Sequence, residues 1–246
     1  MPQNYQLQEN VSLRPYNTFG IQASARYFFE AQTMDDLLWI IHQPEFQMKK
    51  LILGGGSNML LTDDFDGLVI KIGLKHKWIE KSEGDYSLVS VMAGENWHSF
   101  VQWCLAHDLG GLENLSLIPG NVGTAPIQNI GAYGVEIKSS FHHLEALNVD
   151  TGEFEIFTAE DCQFGYRDSY FKREGKDRYI ILRVFLNLTN KNHRLNTSYG
   201  AIERELERLG KEANIHSISE AVVNIRRSKL PDPARIGNSG SFFKNP

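Results

Sequence analysis

The chain has 246 residues, 41% of them hydrophobic and 22% charged, with a formal net charge of −5. That is ample material for a packed core and excludes a disordered chain, and the acidic balance gives the molecule as a whole no attraction to nucleic acid or an anionic membrane. No apolar run approaches a membrane span, and residues 1–10 lack the basic start and apolar middle of a secretory signal, so a cytoplasmic protein with no membrane insertion is expected.

In chain order, Ala25 to Ala31 reads as a strand, and Thr33 with Asp36 three residues on forms a capping box. The helix behind it runs through Leu37, Leu38, Ile40 and Ile41. Lys50 to Leu53 is a short strand that leads straight into Gly54-Gly55-Gly56-Ser57-Asn58, and Leu68 to Ile72 is another strand. Two β-like runs then flank a turn at Glu83-Gly84-Asp85. Trp97, Phe100, Val101, Cys104 and Leu105 have helical spacing, and Gly110-Gly111 is the expected stop. Leu112 to Gly134 shows neither helical nor strand periodicity, which marks a long loop of the kind that is functional when ordered. Beyond it come a hairpin across Asp150-Thr151-Gly152, a strand from Arg178 to Thr189, and helices over Ala201–Leu209 and Glu220–Lys229. Strands and helices do not alternate regularly, so the expected class is α+β. Cys104 and Cys162 are too few for a disulfide framework or a metal motif; buried, reduced thiols and no metal are expected.

Two glycine-rich segments carry chemistry. In Gly54–Asn58 three glycines allow backbone N–H groups to face an anion, with the Ser57 hydroxyl and Asn58 amide as further donors. A tight strand-to-loop turn would use the same residues. The second segment, Ile118 to Gly134, lies in a stretch with no charge from Leu115 through Val135. Its glycines and prolines suit a thin backbone wall laid against a planar, polar-edged ligand, or an Ω-loop packed on itself. From Arg226 onward five basic residues (Arg226, Arg227, Lys229, Arg235, Lys244) face one acid, Asp232. That reversal suits an anionic ligand, although a helix C-terminus alone would favour Arg226 to Lys229.

Asn17-Thr18-Phe19-Gly20, Gly54–Asn58, Ile118–Gly134, Gly165-Tyr166-Arg167-Asp168-Ser169 and Gly240-Ser241-Phe242-Phe243-Lys244-Asn245-Pro246 occur in this order. Together they closely resemble the UDP-N-acetylenolpyruvoylglucosamine reductase (MurB) family, in its branch with a long tyrosine loop. The resemblance spans essentially the whole chain. It implies an α+β FAD-binding fold of the vanillyl-alcohol oxidase (PCMH) type, built from two subdomains. Residues 1–72 and 73–229 would be these subdomains, and 230–246 the start of a substrate-binding domain. It further implies non-covalent FAD, NADPH as hydride donor, and a UDP-sugar whose enolpyruvyl group is reduced for peptidoglycan synthesis. A monomer is expected.

By the same resemblance, Gly54, Gly55, Gly56, Ser57 and Asn58 would hold the FAD pyrophosphate. Pro119, Gly120, Gly123, Thr124, Gln128, Asn129, Gly131, Ala132, Tyr133 and Gly134 would line the flavin and ribityl chain. Arg167 would stabilise the charge that develops as hydride reaches the enolpyruvyl group, and Ser241 would protonate the enolate. Tyr166, Tyr199, Lys229 and Asn245 would contact substrate. Taken as residues alone, Arg167 could equally be an ion-pair partner of Asp168, and Ser241 a loop serine.

The chain ends directly after the Gly-Ser-Phe-Phe motif, where family members continue with a third domain and a catalytic glutamate. The expectation is a C-terminally truncated chain that retains FAD affinity and turns over poorly. Two other readings remain at this stage. One is an oxidase of the same fold, with flavin fixed through His or Cys. The other is a non-catalytic flavin-binding module.

Overall fold

A computed structural model describes residues 5–233 and 235–239, and it divides into two compact units. The first comprises the chain up to Lys75 together with the segment from Pro231 on; the second runs from His76 to Leu230.

In the first unit, β1 (Gln8–Ser12) pairs antiparallel with β2 (Ser24–Ala31), and β4 (Phe65–Ile72) lies parallel to both β2 and β3 (Lys50–Leu53), in the order β1-β2-β4-β3. Helix α1 (Met34–Ile41) makes the crossover from β2. Its capping box is present: Thr33 Oγ1 accepts the Asp36 N–H at 3.1 Å, and the Asp36 carboxylate accepts the N–H groups of Thr33 and Gln32. Leu37, Ile40 and Ile41 bury the inner face of the helix, at the spacing that one helical stripe requires. Leu13, Ala25, Phe28, Leu53 and Val69 form a core cluster of this unit. Strand β4 begins three residues before the sequence predicts. There Phe65 pairs with Ala25 of β2, a tertiary contact that no periodicity reveals.

In the second unit, β5 (Lys77–Glu83) and β6 (Tyr86–Met92) form a hairpin that turns at Gly84, with φ +58°. With β9 (Phe141–Asn148), β10 (Phe154–Thr158) and β11 (Tyr179–Thr189) they make an antiparallel sheet in the order β10-β9-β11-β6-β5. A two-stranded ribbon, β7 (Gly131–Ala132) with β8 (Val135–Glu136), stands apart from it. Helix α2 (Trp97–Ala106) inserts Trp97, Phe100, Val101, Cys104 and Leu105 into the main core, which also takes Leu144, Val184 and Leu186 from the sheet. The short α3 (Ala159–Cys162) follows β10. Helices α4 (Gly200–Leu209) and α5 (Ile215–Lys229) pack on each other through Ile202, Leu206, Ile218, Val222 and Ile225. The class is α+β.

Two helix boundaries differ from the sequence reading by more than one residue. Helix α2 does not run to Gly110-Gly111. Asp108 adopts φ +55° and the Leu109 N–H returns to the Cys104 carbonyl at 2.9 Å, so an aspartate makes the left-handed stop. Gly110 instead bridges to Thr189 in β11, where a Cβ would stand 2.7 Å from His193 Nδ1. Helix α5 starts five residues before Glu220. The Asn214 side chain caps the N–H groups of His216 and Ser217, both at 2.9 Å, a signal present in the sequence and passed over.

Both cysteines are fully buried. Burial pushes the Cys104 thiol well above its ordinary value, and burial, with Asp161 nearby, pushes Cys162 up to about 12. We therefore expect neither to react with a thiol reagent at about pH 8 in the folded protein, and both to react on unfolding. Labelling of the native protein at the rate of a free thiol would contradict this burial.

Candidate functional site

The glycine loop of the first unit is shaped by its own neighbours. Gly56 has φ +62°, and a Cβ there would overlap the Tyr16 carbonyl oxygen and stand 3.1 Å from Asn17 Cα. The Gly56 carbonyl accepts the Thr18 N–H at 3.1 Å, so two motifs far apart in sequence become one structure. Asn17, 7% exposed, pins the bend by donating to the carbonyls of Leu13 at 2.8 Å and Ile21 at 3.0 Å, while its Oδ1 accepts the Ile21 N–H at 3.0 Å. Gly54, Gly55 and Ser57 are half-buried and Asn58 is exposed. Thr18 Oγ1 is buried and has no hydrogen-bond partner among the described residues.

In the second unit the uncharged segment is tied to its surroundings more than to itself. Its near edge follows the entry to α2: Trp97 N–H donates to Gly120 O at 3.0 Å, Val122 N–H to Glu95 O at 2.9 Å, and Gly123 N–H to Ala93 O at 2.9 Å. A Cβ on Gly123 would sit 2.5 Å from Ala93 Cβ, so that glycine is required by the wall's own packing. Gly120, Asn121, Ala125, Pro126, Asn129 and Ile130 are buried; Thr124, Gln128, Gly131, Ala132 and Tyr133 are half-buried; Pro119 and Gly134 are exposed. Thr124 Oγ1 donates locally to Asn121 O at 2.8 Å.

The Gly165–Ser169 turn is stitched to this wall. Asn129 Nδ2 donates to Gly165 O at 2.9 Å, and Ser169 Oγ to Ile127 O at 2.7 Å. Arg167 Nη2 donates to the Gly131 carbonyl, and Nη1 lies 3.5 Å from Asn129 O. A Cβ on Gly131 would stand 2.6 Å from Arg167 Nη1, so a larger residue there would push the guanidinium from its place. Arg167 does not pair with Asp168, whose carboxylate binds Arg173. Its acidic neighbour is Glu136, at 3.8 Å, and Glu136 is engaged more closely by Lys138 at 2.9 Å. The guanidinium also faces the Tyr166 ring, which is 53% exposed. Leu117, Asn129, Tyr133 and Arg167 all have positive φ, between 42° and 57°. Such backbone costs energy and gathers where geometry serves a site.

A third group joins the wall to α5. His98 Nδ1 accepts the Leu117 N–H at 3.0 Å, and Arg226 Nε donates to the Leu117 carbonyl at 3.1 Å. Burial lowers the pKa of Arg226, an effect opposed by the Tyr133 hydroxyl beside it; burial likewise raises the Tyr133 phenol against the pull of Arg226. Tyr133 meets Tyr199 edge to face at 5.3 Å, and Asn114 Nδ2 donates to both Tyr133 O and Asn196 O. Tyr199 is 47% exposed at the start of α4, and Lys229 is exposed at the end of α5. Ser241, Lys244 and Asn245 lie outside the described residues. Sequence reasoning left out His98 and placed Arg226 only in a basic run, because nothing in their spacing joins them to Leu117.

His98 carries a testable pH dependence. Burial, then Arg227 and Arg226, hold its pKa below the ordinary 6.5. Below that value the unfolded chain takes up a proton that the folded chain refuses, so His98 stabilises the fold at neutral pH and that contribution fades as pH falls. His98→Gln keeps an acceptor for Leu117 and cannot titrate. The parent's melting temperature should fall more steeply than the variant's between about pH 7 and pH 5. Parallel curves would contradict the assignment.

Among the described residues no group of His, Cys, Asp and Glu is placed to hold a metal ion, and no helix is long and apolar enough to cross a membrane. Residues 25–158 match the family described as "FAD binding domain". The fold is the FAD-binding type: it superposes on a MurB reductase from Thermus caldophilus with a TM-score of 0.70 at 24% identity, over 98% of this chain and 76% of that one. A solvent-stable cholesterol oxidase gives a TM-score of 0.55 at 15% identity, over 77% and 40%. The reductase of Flavobacterium johnsoniae is 53% identical over 242 residues, 98% of this chain and 72% of the relative; that of Pseudomonas putida is 50% identical over 98% and 71%. The chain belongs to the UDP-N-acetylenolpyruvoylglucosamine reductase family.

FAD fits the residues present. A diphosphate calls for backbone and hydroxyl donors without bulk, and the Gly54–Asn58 loop with the orphaned Thr18 hydroxyl offers them. An isoalloxazine calls for a rigid, uncharged edge, which the hydrogen-bonded wall from Gly120 to Gly131 offers.

Proposed function

We infer that this chain is an FAD-dependent oxidoreductase of the UDP-N-acetylmuramate dehydrogenase type. It uses NADPH to reduce the enolpyruvyl group of UDP-N-acetylglucosamine enolpyruvate, giving UDP-N-acetylmuramate for peptidoglycan synthesis. The observation that carries this is 53% identity to a named reductase over 98% of the chain. Bound FAD supplies the two-electron redox chemistry between NADPH and the substrate double bond.

The roles proposed for individual residues are those the family resemblance implies. Gly54, Gly55, Gly56, Ser57 and Asn58 hold the diphosphate of non-covalent FAD. Pro119, Gly120, Gly123, Thr124, Gln128, Asn129, Gly131, Ala132, Tyr133 and Gly134 line its flavin and ribityl portions. Reduction of an enol ether beside a carboxylate delivers charge to that carboxylate, and Arg167 takes both oxygens in a fork. Its guanidinium suits the task because it rests on the Gly131 carbonyl and is not tightly neutralised by an acid. Ser241 Oγ–H supplies the proton to the enolate carbon, and Tyr166, Tyr199, Lys229 and Asn245 hold the UDP-sugar. Residues 1–72 and 73–229 act as two FAD-binding subdomains, with 230–246 opening a substrate-binding domain. The protein acts as a monomer in the cytoplasm.

The test is a single turnover. NADPH-reduced holoprotein is mixed without oxygen with the enolpyruvyl sugar, and the flavin spectrum and product mass are recorded. Oxidised flavin together with UDP-N-acetylmuramate is expected. Flavin that stays reduced in the presence of bound substrate would refute the reading.

A further inference from the structure

The Asn17-Thr18-Phe19-Gly20 motif has no role in the reaction above, yet it is built with unusual care. Asn17 spends its whole amide on the backbone of Leu13 and Ile21, fixing the bend on either side of Thr18. The Thr18 N–H is bound to Gly56, and Gly56 is pressed so closely on Tyr16 that no side chain fits between them. Phe19 is backed from the other side by Gly237, where a Cβ would overlap the Phe19 carbonyl oxygen. The backbone at Thr18 is thus fixed at three points while its hydroxyl, shut off from water, has no partner among the described residues.

A buried hydroxyl without an acceptor is unfavourable, and in a native protein such a group is completed by a water, an ion or a ligand. Valine would fill the same space without that penalty, so packing does not explain threonine. Thr18 as a whole is only half-buried, so a turn about its Cα–Cβ bond can bring the hydroxyl to a ligand lying on the Gly54–Asn58 loop. The neighbouring loop carries the Ser57 hydroxyl and the backbone N–H groups of three glycines, a donor set that suits a phosphate. We propose that Thr18 is a diphosphate ligand: its hydroxyl donates to a phosphate oxygen of the dinucleotide held by Gly54–Asn58, and Asn17-Thr18-Phe19-Gly20 is the second strand of that cradle. This rests on the FAD reading above and assigns it a residue outside the glycine loop.

The experiment titrates apoprotein with FAD for the parent, Thr18→Val and Thr18→Ser, and records the phosphorus-31 spectrum of the bound FAD and the melting temperature of each apoprotein. Thr18→Val should weaken FAD by about tenfold, the size of one hydrogen bond to a charged group. It should also move a diphosphate resonance and leave the apoprotein melting at or above the parent. Thr18→Ser should restore both affinity and resonance. FAD affinity within about threefold of the parent for Thr18→Val overturns the proposal. So do unmoved phosphorus lines, or a clearly lower apoprotein melting temperature that marks the hydroxyl as structural. A folded parent that takes up no FAD overturns the flavin reading itself, and this inference with it.

Discussion

Arg167→Gln should slow transfer of reducing equivalents to the enolpyruvyl sugar by about a hundredfold or more, while FAD uptake stays near the parent's. The magnitude is that of removing one preorganised charged donor from a developing anion. Two features of the structure make the variant informative. Glutamine still has an N–H to offer the Gly131 carbonyl, so the wall keeps a donor where Arg167 gave one. Arginine and glutamine are both unbranched at Cβ and bear the φ of +54° at similar cost, so backbone strain changes little in the swap. Arg167→Lys keeps the charge and loses the fork, and should fall between the two, about tenfold below the parent. The rate is read as reoxidation of the prereduced flavin by substrate without oxygen. A loss of less than about threefold for Arg167→Gln would remove Arg167 from the chemistry. An equal loss of FAD affinity would make it a structural arginine instead.

Gly56→Ala should be the most damaging small substitution in the first unit. Its left-handed backbone already disfavours alanine, and the added methyl would overlap the Tyr16 carbonyl oxygen. Relieving that overlap separates Gly56 from Tyr16 and breaks the Thr18–Gly56 hydrogen bond. Strain and the lost contact together should cost about 3 kcal/mol, which lowers the melting temperature by roughly 6–12 °C in a chain of this size. FAD affinity should fall with it. Gly20→Ala is the matched control: φ is +65°, but a Cβ meets nothing within 4 Å. Its cost should be only the intrinsic one, about 1–2 kcal/mol. Equal melting temperatures for the two variants would show that the close approach at Tyr16 does not constrain the loop.

These contrasts also mark what could be read from sequence. The α1 capping box, the bounds of β3 and the hairpin turn at Gly84 were legible because each depends on neighbours within four residues. The glycine-rich loops were legible as special backbone, but the physical reason for three of their glycines was not. Gly56, Gly123 and Gly131 leave room for Tyr16, Ala93 and Arg167 of the same chain, which are distant in sequence. The stop of α2 was misplaced because aspartate at 108 took the left-handed position that glycine at 110 advertises. The sequence left an Arg167–Asp168 pair open, and the structure does not form it. Adjacent residues in a turn point apart, and the carboxylate is met by Arg173 from the next turn. His98 and Arg226 clasp one residue, Leu117, from two helices, a relation that only the packed structure creates.

Whether Gly54–Asn58 and Ile118–Gly134 hold a flavin dinucleotide is tested most directly by titrating the folded apoprotein with FAD and following the visible flavin band. One FAD per chain should bind, with a shifted, structured spectrum, and should leave the polypeptide completely on denaturation. Folded protein that leaves the FAD spectrum unchanged at saturating concentration would contradict it.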